Sequence, residues 1–324
     1  MNNMKILSEI NLPELEQAGF IVEKLNYGNR LYNYLFHKHR CKILRKFTSD
    51  HEIAVIVCGR ATAAMVSGMD FPALQLIQLT STGFDGVPVG RLQERDINVA
   101  NLKNVYTNPI AETVLYALLR FSRRLRSNPQ KVFPALVRGY EKRMTELAGK
   151  KALLLGTGNI GTAIAVRLAA FEVQVDGYSL NNQPQEPYRT IYSDKVELLQ
   201  VMHKQQYDFV ISSLPANNET LHFCDPDFFR AMGNKAIFCN IGRTATVDQQ
   251  ALFHALKNYS IGGAAIDSVE VLPFALFNRF RRLNNVVVFP GIAAASQESV
   301  LRVRTRIAEN IQTFIATGSC QDTL

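Results

Sequence analysis

Tryptophan is missing from this chain altogether, so the broad aromatic platforms on which many single-stranded nucleic acid sites stack their bases are poorly supplied. The five cysteines (Cys41, Cys58, Cys224, Cys239, Cys320) are odd in number, scattered and without a Cys-x-x-Cys pair. Neither a disulfide framework nor a zinc site is therefore expected; reduced thiols in a cytoplasmic protein are, and no metal is assigned. No apolar run approaches the length that a bilayer-spanning helix needs. The first residues, Met1 to Leu7, hold no long apolar stretch followed by a small-residue cleavage site, so no signal peptide is expected. Low-complexity tracts, internal repeats and Ser/Gly-rich linkers are absent too. Domain boundaries should then be crossings of the chain between lobes.

What is present fits a globular protein: 324 residues, 47% hydrophobic and 20% charged, enough for two lobes that each bury a core. The formal charge is +8, with basic clusters at Arg120, Arg123, Arg124 and Arg126, at Arg279, Arg281 and Arg282, and at Arg302, Arg304 and Arg306. A nucleic acid surface is one reading. Solvated helix faces that attract anionic cofactors and acids are the preferred one, because no zinc finger, RNA-recognition signature or aromatic–basic stripe accompanies the arginines.

Strand-like and helix-like segments alternate throughout, which predicts an α/β fold with parallel sheets covered on both faces. Ile53–Cys58, Leu76–Leu79 and Ile97–Ala100 read as strands of a first lobe. Apolar positions at helical spacing (Ile110, Val114, Leu115, Leu118, Leu119) predict a long helix from Pro109 to Arg126, broken by Asn128-Pro129. A second lobe opens at Lys151. Its expected strands are Ala152–Leu155, Val173–Tyr178, Phe209–Ser213, Ala236–Asn240, Ala264–Asp267 and Val286–Phe289. Helices are expected at Ile160–Ala170, around Val196–Leu199 and at Ser296–Ala316.

Between the strand and the helix that open the second lobe lies Gly156-Thr157-Gly158-Asn159-Ile160-Gly161. The spacing G-x-G-x-x-G in that context reads as a dinucleotide-binding turn. The first glycine makes the tight turn, the second lets backbone approach a pyrophosphate, and the third allows helix–strand packing. The following helix offers free amides and its positive dipole end. The end of the next strand, where a carboxylate would grip the ribose of NAD, carries Ser179, followed by Leu180 and Asn181. A hydroxyl there permits a 2′-phosphate without demanding one. No arginine follows directly, and Arg189 is near in sequence but unplaced. NAD and NADP both remain open, with a slight lean to NADP.

Taken in order, further motifs give the chain a resemblance to the D-isomer-specific 2-hydroxyacid dehydrogenases over nearly its whole length. They are Ser81-Thr82-Gly83-Phe84-Asp85, Asn108-Pro109-Ile110-Ala111-Glu112, Glu146-Leu147-Ala148-Gly149-Lys150, Ser213-Leu214-Pro215 with Glu219-Thr220, Asn240-Ile241-Gly242-Arg243 and Gly263-Ala264-Ala265-Ile266-Asp267. The resemblance implies two doubly wound, Rossmann-like lobes around a cleft. The substrate lobe would be residues 1–103 and 292–324, and the NAD(P) lobe residues 104–291. It implies that Arg243 holds the carboxylate of a small 2-keto or 2-hydroxy acid, a task suited to the guanidinium fork. Gly59, Arg60, Thr82 and Gly83 match places where the substrate carboxylate meets backbone amides, although ordinary turns explain them equally well. Leu214, Pro215, Thr220, Ile241, Gly242 and Asp267 would line the cofactor. A homodimer through the long helix and the segment Phe133–Tyr140 is implied, as is a hinge at the two crossings that closes the lobes over substrate.

The chain departs from the pattern at two places. The family's glutamate, five residues after the aspartate and just before a proline, is replaced by Leu272; Glu270 lies two residues off. The family's histidine, after the proline that ends the last strand, is replaced by Gly291. The glutamate orients and charge-balances the histidine, so the two losses are coherent. A positioned general acid is worth about 10²–10⁴ in rate. None of the six histidines lies in the matching segment; His222 reads as a packed or solvated residue, and arginine cannot donate a proton at neutral pH. Two functions stay open: a hydride-transferring oxidoreductase with an altered proton donor, such as water or a group held by Arg243, or a catalytically inactive nucleotide-binding relative acting as a sensor or assembly protein. Nucleic acid binding is a weaker third, whose signature is salt dependence.

Overall fold

The computed structural model describes residues 4–26, 37–124, 144–180, 183, 185–267 and 279–324. They form two units, Met1–Tyr106 with Ser296–Leu324, and Thr107–Ala295.

In the first unit five parallel strands run β1 (Lys5–Ser8), β2 (Ile21–Lys24), β3 (Ile53–Cys58), β4 (Leu76–Leu79) and β5 (Asn98–Ala100), in the spatial order β2-β1-β3-β4-β5. Successive side chains of a strand face opposite sides. Thus Leu7, Ile56 and Cys58 enter one core while Ile6, Val55 and Val57 enter the other. Burial on both faces is why β3 reads as an unbroken apolar run. The last helix, Gln297–Thr317, closes the second of these cores with Ile307, Ile311 and Phe314. Ser296 starts it by a reciprocal capping box with Ser299, and Gly318 ends it in the left-handed region at φ 79°.

The second unit holds seven parallel strands: β6 (Lys151–Leu155), β7 (Gln174–Tyr178), β8 (Ile191–Tyr192), β9 (Phe209–Ser212), β10 (Ile237–Asn240), β11 (Gly263–Ile266) and β12 (Val286–Val288). Their order is β12-β11-β10-β9-β6-β7-β8. Phe228, Phe238 and Phe280 are fully buried at the centre of its core, with rings of Phe228, Phe229 and Phe238 packed edge to face at 5.3–6.3 Å.

Both sheets are doubly wound. Strand order reverses at β1 in the first unit and at β6 in the second, so each sheet has a switch point at the carboxyl ends of two adjacent strands, β1/β3 and β6/β9. Ligands of open α/β sheets bind outside such points. The long helix expected to run to Arg126 ends at Ser122. β1, β2 and β8 were not legible as strands: they are two to four residues long, and at the sheet edge Ile21 is 52% exposed.

Candidate functional site

The glycine turn occupies the β6/β9 switch point, between β6 and the helix Asn159–Ala170. Gly156 sits at φ 94°, a conformation that costs other residues roughly 1–2 kcal/mol. A β-carbon there would also stand 2.8 Å from Ser213 Oγ, whose hydroxyl donates to the carbonyls of Leu155 and Gly156 at 3.1 Å. At Gly161 a β-carbon would collide with the Gly156 carbonyl oxygen. Gly158 differs, since a β-carbon there meets nothing within 4 Å. That open space, next to a helix start, is what an approaching phosphate requires.

The capping of this helix supports the same point. Asp194, Asp225 and Asp248 each accept amides of the first turn of their own helices. The helix after the glycine turn has Gly158 at its N-cap and no side-chain cap. Its first amides and positive end are therefore presented to whatever lies beyond the turn.

The other expected cofactor residues follow the neighbouring strands. Thr157 packs over Gly177, where a β-carbon would lie 2.7 Å from its methyl group. Asn159 and Ile160 open the helix. Ser179, after β7, donates its amide to Tyr192 at 2.9 Å, and Leu180 is 55% exposed. Leu214 and Pro215 follow β9, where the Thr220 hydroxyl donates to the Pro215 carbonyl at 2.6 Å. Ile241 and Gly242, after β10, both donate their amides to Ser212, and a β-carbon on Gly242 would reach within 2.7 Å of the Leu214 carbonyl. Arg243, half-buried, donates to the Gly242 carbonyl at 3.4 Å. Asn181 and Leu272 lie outside the described residues, as do Phe133–Tyr140.

Asp267, after β11, and Gly291, after β12, meet. Gly291 donates its amide to the Asp267 carbonyl at 2.9 Å, and the Asp267 carboxylate accepts the Ala293 amide at 2.9 Å. Burial pushes the Asp267 carboxyl up, and amides of Ala293, Ile292 and Gly291 pull it back. Gly291 is exposed, with φ 71° and no atom within 4 Å of a built β-carbon. The described part of this region thus has a carboxylate fastening a turn, with glycine at its tip. His222 is exposed, its amide bonded to Ala245 at 2.9 Å.

In the first unit Gly59 and Arg60 follow β3, at the β1/β3 switch point, and start the helix Arg60–Val66. The Gly59 amide donates to Glu9 Oε2 at 2.6 Å, and the Thr62 hydroxyl donates to Glu9 Oε1 at 2.5 Å. Arg60 pairs with Asp85 at 2.5 Å. Thr82 and Gly83, after β4, accept through their carbonyls from Asn101 and Ser81 at 2.7 and 2.8 Å. Glu9 is a residue that sequence reasoning missed, and its only signal is a carboxylate one position past a short strand.

Asp176, Tyr207, Tyr188 and the placement of Arg189 were missed as well. Asp176 on β7 is 1% exposed. Arg189 donates to it through Nε at 3.2 Å and Nη2 at 2.9 Å, and Tyr207 donates at 2.8 Å. Burial first, and Asp176 second, raise the Tyr207 phenol far above its ordinary value, so it stays a donor. Stripping a buried carboxylate of its cation costs about 3–5 kcal/mol, so this arginine is fixed in place. Tyr188 packs under the turn, 3.0 Å from a β-carbon built on Gly177, and burial pushes its phenol up to about 12.

Several arginines of the second and third basic clusters have partners inside the chain. Arg302 donates to the Val105 carbonyl at 3.0 Å, Arg304 lies 3.4 Å from Glu14, and Arg279 stacks 4.1 Å over the Phe253 ring. Among the described residues no three His, Cys, Asp or Glu side chains gather as metal ligands, and no helix is long and apolar enough to cross a membrane.

Comparison with known proteins adds to this geometry. Residues 115–293 match the family model described as "D-isomer specific 2-hydroxyacid dehydrogenase, NAD binding domain". Glyoxylate/hydroxypyruvate reductase A of Arabidopsis thaliana is 30% identical over 285 residues, covering 84% of this chain and 89% of that protein. A glyoxylate reductase of Korarchaeum cryptofilum is 30% identical, covering 75% of this chain and 74% of its own. The solved structure of an NADPH-dependent glyoxylate/hydroxypyruvate reductase from Sinorhizobium meliloti, in complex with NADP and malonate, superposes with a TM-score of 0.77 at 26% identity, covering 99% and 97% of the two chains.

Proposed function

Because the chain belongs to the D-isomer-specific 2-hydroxyacid dehydrogenase family, we propose that it is an NAD(P)-binding oxidoreductase acting on a small 2-keto or 2-hydroxy acid without the family's histidine–glutamate pair. The observation that carries the nucleotide half is the uncapped helix behind Gly158, at a switch point where added β-carbons on Gly156, Gly161 and Gly242 would meet protein atoms. Residues 107–295 would hold the nucleotide and residues 1–106 with 296–324 the acid. Gly156 to Gly161 would take the pyrophosphate on backbone amides. Ser179 and Leu180 would lie at the ribose, and Leu214, Pro215, Thr220, Ile241, Gly242 and Asp267 along the rest of the dinucleotide. A bound nicotinamide would supply the hydride.

Arg243 would hold the acid's carboxylate and polarise its keto oxygen. The Gly59 amide is already bonded to Glu9 and the Arg60 guanidinium to Asp85, which leaves those two a smaller part. With glycine at position 291, the proton must come from water or from the substrate, and turnover falls by about 10²–10⁴ relative to a chain with a positioned acid. A homodimer belongs to the same proposal, and sedimentation velocity checks it.

The second reading, a nucleotide-binding relative without turnover, is favoured by the Gly291 turn itself. Its left-handed tip, fastened to Asp267, holds no proton-transferring side chain. The test is a titration with NADH and NADPH followed by a turnover screen with glyoxylate, hydroxypyruvate and related keto acids. Saturable binding with slow turnover that collapses in Arg243→Ala supports the enzyme. Binding with no turnover favours the second reading. Absence of binding overturns both.

A further inference from the structure

At the carboxyl end of β7 the ribose of a bound dinucleotide would meet Ser179 and Leu180. A 2′-phosphate brings nearly two negative charges and three acceptor oxygens at neutral pH, and such groups are held by a guanidinium fork or an ammonium. From Ser179 to Tyr188 the sequence is SLNNQPQEPY, whose one charged side chain is Glu186. Arg189 is the first basic residue after β7, and it is spent on the buried Asp176 by two hydrogen bonds, with a third to Gln174 at 2.5 Å. Moving it to a phosphate would leave that carboxylate buried without its cation and held by the Tyr207 hydroxyl alone. Lys195, the next basic residue, bonds Asp225 at 2.6 Å and stands 5.0 Å over the Phe223 ring.

We infer that the nucleotide site prefers NAD(H) to NADP(H), and that the commitment of Arg189 to Asp176, together with Leu180 beside Ser179, sets the preference. The inference rests on the nucleotide-binding half of the proposed function and reverses the lean to NADP that Ser179 alone suggests. The Sinorhizobium meliloti relative is NADPH-dependent, so kinship does not decide the matter; local charge does. A neutral 2′-hydroxyl fits beside Ser179 with no cation, whereas a phosphate there would find the first two basic residues after β7, Arg189 and Lys195, already paired with Asp176 and Asp225.

The full chain is titrated with NADH and with NADPH by nicotinamide fluorescence and calorimetry, with no acid present. NADH is expected to bind about tenfold tighter or more, the worth of one lost charge-assisted phosphate contact. Leu180→Arg adds a guanidinium on an exposed side chain and should shift the ratio of NADPH to NADH affinity about tenfold toward NADPH. Arg189→Gln should leave the ratio of the two affinities constant, whatever it does to stability. Equal or tighter binding of NADPH by the natural chain, or an Arg189→Gln effect confined to NADPH, would overturn the preference and leave the proposed function standing. Binding of neither nucleotide would overturn the proposed function and the preference together.

Discussion

The two sheets share one winding scheme yet treat their switch points in opposite ways. At β1/β3 the chain closes the point with its own carboxylate: Glu9, 50 residues away, takes the Gly59 amide and the Thr62 hydroxyl at the start of the helix Arg60–Val66. At β6/β9 the chain keeps the point clear, with no side-chain cap on the helix and open space above Gly158. A helix start left bare is an anion site in waiting, and one that is filled has become part of the scaffold. The same topology therefore marks where a ligand can sit, and side chains decide whether one does.

The largest expected break of this contrast is at Arg189. Arg189→Ala strands the buried Asp176 and should cost the second unit about 3–5 kcal/mol, read as an early transition in urea melts. Next comes Gly161→Ala, whose β-carbon has no room. It should lose about 1–3 kcal/mol and nucleotide binding with it. Gly158→Ala sharpens the point, because stability should stay within about 0.5 kcal/mol while nucleotide affinity drops about tenfold or more, as measured by calorimetry. Glu9→Ala opens the first switch point. It leaves a donor amide and a hydroxyl without their acceptor, at about 1–3 kcal/mol, and added acetate should restore part of the melting temperature in the variant but not in the natural chain.

The smallest effects concern pH, and they run in opposite directions in the two units. Lys5 hydrogen-bonds Asp50 at 2.8 Å and holds its carboxyl below the usual range. The stability this gives is present above about pH 4 and lost as pH falls through the lowered value. Asp267 is shifted up by burial, so its contribution is present below about pH 4 and fades as pH rises through the raised value. Thermal melts between about pH 3 and 7 should show Asp50→Asn converging on the natural chain at the acid end. Asp267→Asn should gain relative stability as pH rises.

Much of the second unit could be read from its residues, and the reason is local. Leu153, Leu154 and Leu155 are each 0% exposed, so burial on both faces writes itself as an apolar run. A turn that needs glycine at Gly156 and Gly161, with open space at Gly158, likewise writes itself as three glycines at fixed spacing. What escaped is non-local or slight. β2 has no fully buried residue. Glu9 meets Gly59, Arg189 meets Asp176 and Tyr207 meets Asp176 across 50, 13 and 31 residues, and no spacing rule ties such partners together. Ser179 shows the same limit: its hydroxyl can be read in isolation, whereas the charge around it depends on which carboxylates have claimed Arg189 and Lys195.

The turn at Gly291 bears on what a histidine could do at this position. Its backbone has settled at φ 71°, where a residue with a β-carbon carries a penalty of roughly 1–2 kcal/mol. A histidine placed here would find vacant room around its side chain but a main chain held in the left-handed region. Gly291→His is expected to fold less stably and to leave turnover where it was. Room alone does not make a proton-transferring position: the main chain that presents the side chain has to be shaped with it.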